Sequence, residues 1–121
     1  MSQVILAEDE PQLRALIAGM LAERGVDVVE AADGAQALEL VKNTPSASLL
    51  LSDIVMPRMN GYELVEASLK LRPELKVLMM TAYAADRPTP AALTAREIRT
   101  LIKPFDADRM CELVVDMLAR P

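Results

Sequence analysis

The stretch from Leu49 to Gly61, LLLSDIVMPRMNG, constrains the fold of this chain more than any other. Three leucines and a serine lead to a single aspartate, and turn chemistry follows at once. A short apolar run that ends this way reads as a buried parallel strand entering a loop. Asp53 then stands at the carboxyl end of a central strand, where open α/β sheets bind their ligands. Met56-Pro57 stops the strand because proline lacks a ladder donor, and Asn60-Gly61 is expected to supply left-handed turn positions before a helix. An aspartate placed like this also suits a turn or a helix cap, so the rest of the chain must decide its role.

Strand and helix signals alternate along the sequence. Val4–Ala7 is a short apolar run ending in Glu8-Asp9-Glu10-Pro11, and Pro11 suits a first helical turn. Leu13, Leu16, Ile17, Met20 and Leu21 then recur at helical spacing until Arg24-Gly25. Val26–Ala31 reads as a second strand closed by Asp33-Gly34, and Ala35–Lys42 as a helix with Ala37, Leu38 and Val41 inward. After the Leu49 strand, Tyr62–Leu71 is helical with Leu64, Val65 and Leu69 packed, and Leu75–Thr81 is a fourth strand. Thr89-Pro90 reads as a cap and first helical position, predicting a short helix from Pro90 to Arg96. Arg99–Ile102 is a fifth strand, and Ala107–Leu118 a final helix with Met110, Leu113, Val114, Met117 and Leu118 on one stripe. Such alternation predicts one α/β domain over 1–121: a doubly wound, five-stranded parallel sheet with helices on both faces.

Composition narrows the chemistry. A chain of 121 residues, 52% hydrophobic and 26% charged, suits one globular domain with a single core. There is no histidine and one cysteine, so Ser/His and Cys/His catalysis, an internal disulfide and cysteine-based zinc sites are excluded. A net charge of −5 without a cluster of Lys and Arg argues against nucleic-acid binding. The start of the sequence carries no basic leader, and no apolar run reaches the roughly 18 residues of a membrane span, so a cytoplasmic location is expected.

The strand ends make the functional argument. Strand one ends at Glu8 and Asp9, strand three at Asp53, strand four at Thr81 and strand five at Lys103. In a parallel sheet these ends share one edge, which brings carboxylates, a hydroxyl and an ammonium to one shallow pocket. Acids crowded there repel one another unless a cation offsets them. An oxygen-only donor set selects a hard cation, and a site that keeps several waters suits Mg²⁺. An aspartate beside such a cation is a candidate nucleophile for phosphoryl transfer, with Lys103 and the Thr81 hydroxyl available to the phosphoryl oxygens.

In Glu8-Asp9, Asp53-Ile54-Val55-Met56-Pro57 with Gly61, Thr81-Ala82 and Lys103-Pro104-Phe105, the whole chain resembles the receiver domain of two-component response regulators. The resemblance implies a flavodoxin-like sheet of strand order 2-1-3-4-5. It implies that Asp53 accepts a phosphoryl group from the phosphohistidine of a histidine kinase or histidine phosphotransfer protein. It further implies Mg²⁺ held directly by Asp9, Asp53 and the backbone carbonyl of Val55, with Glu8 acting through water. Thr81, the Ala82 amide and Lys103 would meet the phosphoryl oxygens. Output would pass to a protein target through the face formed by the fourth helix, the fifth strand and the last helix, from a monomer or weak homodimer.

Three positions depart from the family's pattern. Thr100 stands where an aromatic usually precedes the lysine, leaving Tyr83 or Phe105 as substitutes for an aromatic switch; Pro88 and Pro90 disturb the fourth-helix region; and Glu8 replaces a commoner aspartate. The first two bear on output and partner choice and leave the phosphorylation chemistry untouched. The DIVMP run and the proline-rich region are similar to CpdR-type regulators, single-domain receivers that act as protease adaptors. The sequence ends at Pro121, shortly after the last helix, so a single-domain switch without a DNA-binding output is expected, an enzyme only toward its own aspartate. The alternatives are a receiver fragment of a larger hybrid kinase or regulator, a relay to a phosphotransfer protein, and a phosphate-independent pseudo-receiver. A haloacid-dehalogenase-type phosphohydrolase would want a second aspartate where Val55 stands. A flavodoxin-like electron carrier would place a phosphate against Glu8, Asp9 and Glu10.

Overall fold

The architecture is that of a computed structural model, which describes residues 3–81, 98–103 and 106–119. Five strands, β1 (Gln3–Ala7), β2 (Asp27–Ala31), β3 (Ala47–Asp53), β4 (Lys76–Thr81) and β5 (Arg99–Ile102), form one sheet in the order β2-β1-β3-β4-β5. Every neighbouring pair is parallel, as crossover helices require. The helices among the described residues are α1 (Pro11–Glu23), α2 (Gly34–Asn43), α3 (Gly61–Leu71) and, towards the end of the chain, α4 (Ala107–Ala119).

Period-two alternation in the strands divides the core in two. Val4, Leu6, Leu49, Leu51, Leu78 and Met80 point to the face covered by α1 and α4, against Ile17, Leu21, Met110 and Val114. Ile5, Leu50, Val77 and Met79 point to the other face, against Ala37 and Val41 of α2 and Leu64, Val65 and Leu69 of α3. The expected doubly wound sheet is therefore present. Each fully buried leucine contributes about 1.5–3 kcal/mol from area removed from water, and the three leucines of β3 are all fully buried.

Local departures from expectation have physical causes. Leu16 falls on the helical stripe read from sequence, yet it is 58% exposed, because α1 is anchored through Ile17 and Leu21. Helix α2 begins at Gly34 since Asp33 caps it, its carboxylate accepting from the Gln36 amide at 2.8 Å. Neither Asn60 nor Gly61 takes a left-handed position. Asn60 is extended (φ −75°) and caps α3 in a reciprocal box with Glu63, Gly61 opens the helix, and the positive φ of this loop belongs to Arg58 at 69°. Gly25, at φ 79°, does end α1 as expected. The helix expected at Pro90–Arg96, and with it Tyr83 and Phe105, lies outside the described residues.

The amino edge of the sheet is fastened by long cations. Arg72, following α3, donates to the Thr44 carbonyl at 3.1 Å and also to the carbonyls of Pro45 and Ala47, at the entrance to β3. Lys76, the first residue of β4, donates to the Met117 carbonyl in the last turn of α4 at 2.7 Å. Both contacts satisfy carbonyls that helix ends and strand entrances leave unpaired. None of the helices among the described residues is long and apolar enough to cross a membrane.

Candidate functional site

Register fixes the pocket at the carboxyl edge. Ala7 lies level with Ser52 and Asp53 with Met80, so the residues just past β1 stand beside the end of β3. The pairing extends beyond the strands: the Glu8 amide donates to Ala31 O at 3.1 Å, the Ile54 amide to Met80 O at 2.9 Å and the Lys103 amide to Thr81 O at 2.6 Å. The ends of all five strands are thereby drawn into one row.

Asp53 is 3% exposed and Glu8 1%, whereas Asp9 faces solvent. Buried carboxylates need partners, and Lys103 serves both. Its ammonium lies 2.6 Å from Asp53 Oδ1 and 3.1 Å from Glu8 Oε1. Glu8 Oε2 accepts from the Glu10 amide at 3.1 Å. Asp53 Oδ2 is buried with no hydrogen-bond partner among the described residues. The side-chain hydroxyl of Ser52 turns back to the Asp53 carbonyl at 2.9 Å, leaving the Asp53 carboxylate to the pocket.

The crowding of acids shifts their protonation. Burial, and then Glu8, push Asp53 up to about 8, against the pull of Lys103. Burial also raises Asp9, with Glu8 adding to it. Glu8 resists its own burial and is held below the usual range by Asp53, the Glu10 amide and Lys103. Lys103 is raised in turn: burial disfavours its charge, but Asp53 and Glu8 outweigh that.

This arrangement fits a hard divalent cation. One carboxylate oxygen from each of Glu8, Asp9 and Asp53 lies within 4.8 Å of the others, and Asp53 Oδ2, without a partner among the described residues, is available to take a cation. An all-oxygen set of net negative charge suits Mg²⁺.

The structure thus brings together Glu8, Asp9, Asp53 and Lys103. Thr81 is buried at the end of β4, the strand paired with β3. Val55 lies two residues beyond Asp53 and is 45% exposed. Ala82 lies outside the described residues. Thr100 is exposed on β5, level with Met79. Sequence reasoning missed Arg14, whose guanidinium donates to the Glu8 carbonyl at 2.8 Å, and the steric role of Gly61. A Cβ on Gly61 would meet the Asp53 carbonyl oxygen at 2.1 Å and Ile54 Cα at 2.7 Å. The glycine after the MP turn was the only signal in the sequence for that approach.

Comparison with known proteins agrees with this geometry. Among curated proteins, the response regulator receiver protein CpdR of Brucella abortus is 35% identical over 118 residues, which span 98% of each chain. The sensor kinase CckA of the same organism is 32% identical over 97% of this chain, but the match spans only 12% of the kinase. A crystal structure of response regulator protein TrrA from Thermotoga maritima, in complex with Mg²⁺-BeF, superposes with a TM-score of 0.85 at 27% identity, covering 97% of this chain and 99% of that one. Residues 4–115 match the response regulator receiver domain, and with the parallel 2-1-3-4-5 sheet and its acidic pocket the chain belongs to that family of two-component, CheY-like receivers.

Proposed function

We propose that this chain is a phosphorylation-dependent switch of a two-component phosphorelay, with Asp53 as its phosphoacceptor. A carboxylate oxygen of Asp53 attacks the phosphorus of a phosphohistidine on a histidine kinase or phosphotransfer protein. The O–P bond forms as the N–P bond breaks, and the departing imidazole takes up a proton. The observation that carries the reading is the buried Asp53, whose Oδ2 has no partner among the described residues while Oδ1 is held by Lys103.

Glu8, Asp9, Asp53 and the Val55 carbonyl would hold Mg²⁺, Glu8 through water, and the cation would supply charge stabilisation on the phosphoryl oxygens. Lys103 serves the same end from the other side and orients Asp53 beforehand. Thr81 and the Ala82 amide donate to the phosphoryl group once it is in place. The chain is no enzyme in the ordinary sense, acting only on its own aspartate. The TrrA complex supports the Mg²⁺ assignment by likeness of fold and family.

Output passes by altered protein–protein binding through the face that contains β5 and α4, with no nucleic acid or membrane involved, in the cytoplasm, from a monomer or weak homodimer. The end-to-end match to CpdR supports a stand-alone receiver over 1–121 with an adaptor-like output. The match to one segment of a sensor kinase favours a second reading, a receiver within a larger hybrid protein. Phosphate-independent binding is the remaining alternative.

The test is intact mass after treatment with acetyl phosphate, with and without Mg²⁺, for wild type and Asp53→Asn. A Mg²⁺-dependent gain of one phosphoryl group in wild type alone is the expected result. Labelling that persists in Asp53→Asn would move the acceptor elsewhere, and no labelling at all would make the chain a pseudo-receiver.

A further inference from the structure

Glu8, Asp9 and Glu10 form the whole connection between β1 and α1, so the placing of two pocket carboxylates depends on how this short turn is held. Its first residue is secured at every polar atom. The Glu8 amide donates to Ala31 O at 3.1 Å, Oε2 accepts from the Glu10 amide, and Oε1 meets Lys103. The Glu8 carbonyl is taken by Arg14 Nη1 at 2.8 Å. Arg14 engages the turn twice, since its own amide also donates to the Glu10 carbonyl at 2.9 Å. Its Nε lies 3.5 Å from Oε1 of Glu30, the penultimate residue of β2.

We propose that Arg14 is a positioning residue for the acidic pocket: braced by Glu30, its guanidinium grips the Glu8 carbonyl and fixes how Glu8 and Asp9 meet a divalent cation. Two cations then hold opposite ends of one residue, Lys103 the carboxylate of Glu8 and Arg14 its carbonyl. The planar fork of a guanidinium can serve a carbonyl and a carboxylate at once, which a single ammonium does poorly. Groups that hold metal ligands from behind set affinity as well as orientation, and their loss typically weakens binding about 10–100-fold. The inference rests on the reading of the pocket as a Mg²⁺ site.

The experiment is a calorimetric Mg²⁺ titration of the full chain for wild type, Arg14→Met, Arg14→Lys and Glu30→Gln, with Asp53→Asn as control. Thermal unfolding in EDTA and amide exchange at Glu10 are followed alongside. Expected are Mg²⁺ affinity about tenfold weaker in Arg14→Met, a smaller loss in Glu30→Gln and in Arg14→Lys, and faster exchange at Glu10. Glu30 is half exposed, so its variant leaves the fold intact and isolates the brace. Wild-type affinity in both Arg14→Met and Glu30→Gln overturns the proposal while leaving the pocket assignment standing. Wild-type affinity in Asp53→Asn overturns the pocket assignment, and the role of Arg14 falls with it.

Discussion

The carbonyl oxygen of Asp53 lies 2.1 Å from the point where a Cβ on Gly61 would stand, so the residue that ends β3 and the residue that opens α3 are in backbone contact. The Gly61 amide completes the approach by donating to Ile54 O at 2.7 Å. Since backbone and not a flexible side chain occupies the space, Gly61→Ala must push the loop away from the strand. We expect a loss of about 1–3 kcal/mol by urea unfolding, with Mg²⁺ affinity weakened in the folded variant. Unchanged stability and affinity would contradict so tight an approach.

Asp53 makes the metal-free protein sensitive to pH in an unusual direction. Its folded pKa is raised from 3.8 to about 8, so its contribution to stability is present below the unfolded value and lost as pH rises through the folded one. Glu8 is shifted the opposite way, and its effect falls below about pH 4.5, outside this window. Stability in EDTA should therefore decline between about pH 5 and 8. Asp53→Asn should flatten the decline and be more stable than wild type at pH 8, by on the order of 1–3 kcal/mol. Mg²⁺ should stabilise wild type and not the variant. Urea midpoints at three pH values, with and without Mg²⁺, check all three expectations.

Cys111 is buried between α4 and the sheet, and burial raises its thiol above the ordinary range. The thiolate is the reactive form, so both access and ionisation oppose modification. A disulfide exchange reagent at pH 8 should react at least about a hundredfold more slowly than with the urea-unfolded chain. Prompt labelling of the folded protein would show that α4 opens locally.

Leu50 and Asp108 mark the two extremes of stabilisation. Leu50 is fully buried in the centre of β3, and Leu50→Ala should cost about 2–5 kcal/mol. Asp108 pairs with Arg24 at 2.7 Å across α1 and α4, but at 79% exposure, and Asp108→Asn should cost less than about 1 kcal/mol. Chemical denaturation of the two variants side by side decides the ranking.

Fold and pocket were legible in the sequence to different depths, and for physical reasons. The alternation of short apolar runs with helical stripes fixes a parallel sheet, and strand ends of a parallel sheet share an edge, so the meeting of Glu8, Asp9, Asp53 and Lys103 follows from order alone. Leu16 misled because periodicity gives the phase of an apolar stripe and not its width. Gly61 was read as a turn residue because sequence reports conformational freedom readily and close approach poorly. Arg14 and Glu30 were silent because the bond of Arg14 to the Glu8 carbonyl depends on how the β1–α1 turn folds back, and its pairing with Glu30 arises only when α1 lies beside β2.

Lys103 differs from the cationic ties of the amino edge in what it binds. At the amino edge, Arg72 and Lys76 bind main-chain carbonyls, whose partial charges no chemical event in the pocket can alter. At the carboxyl edge, Lys103 binds two carboxylates, and one of them is the proposed acceptor. Adding a phosphoryl group would rewrite the second set of ties and spare the first. In that sense the proposed signal would be written on one edge only, while the opposite edge, tied through neutral carbonyls, would serve as a fixed reference.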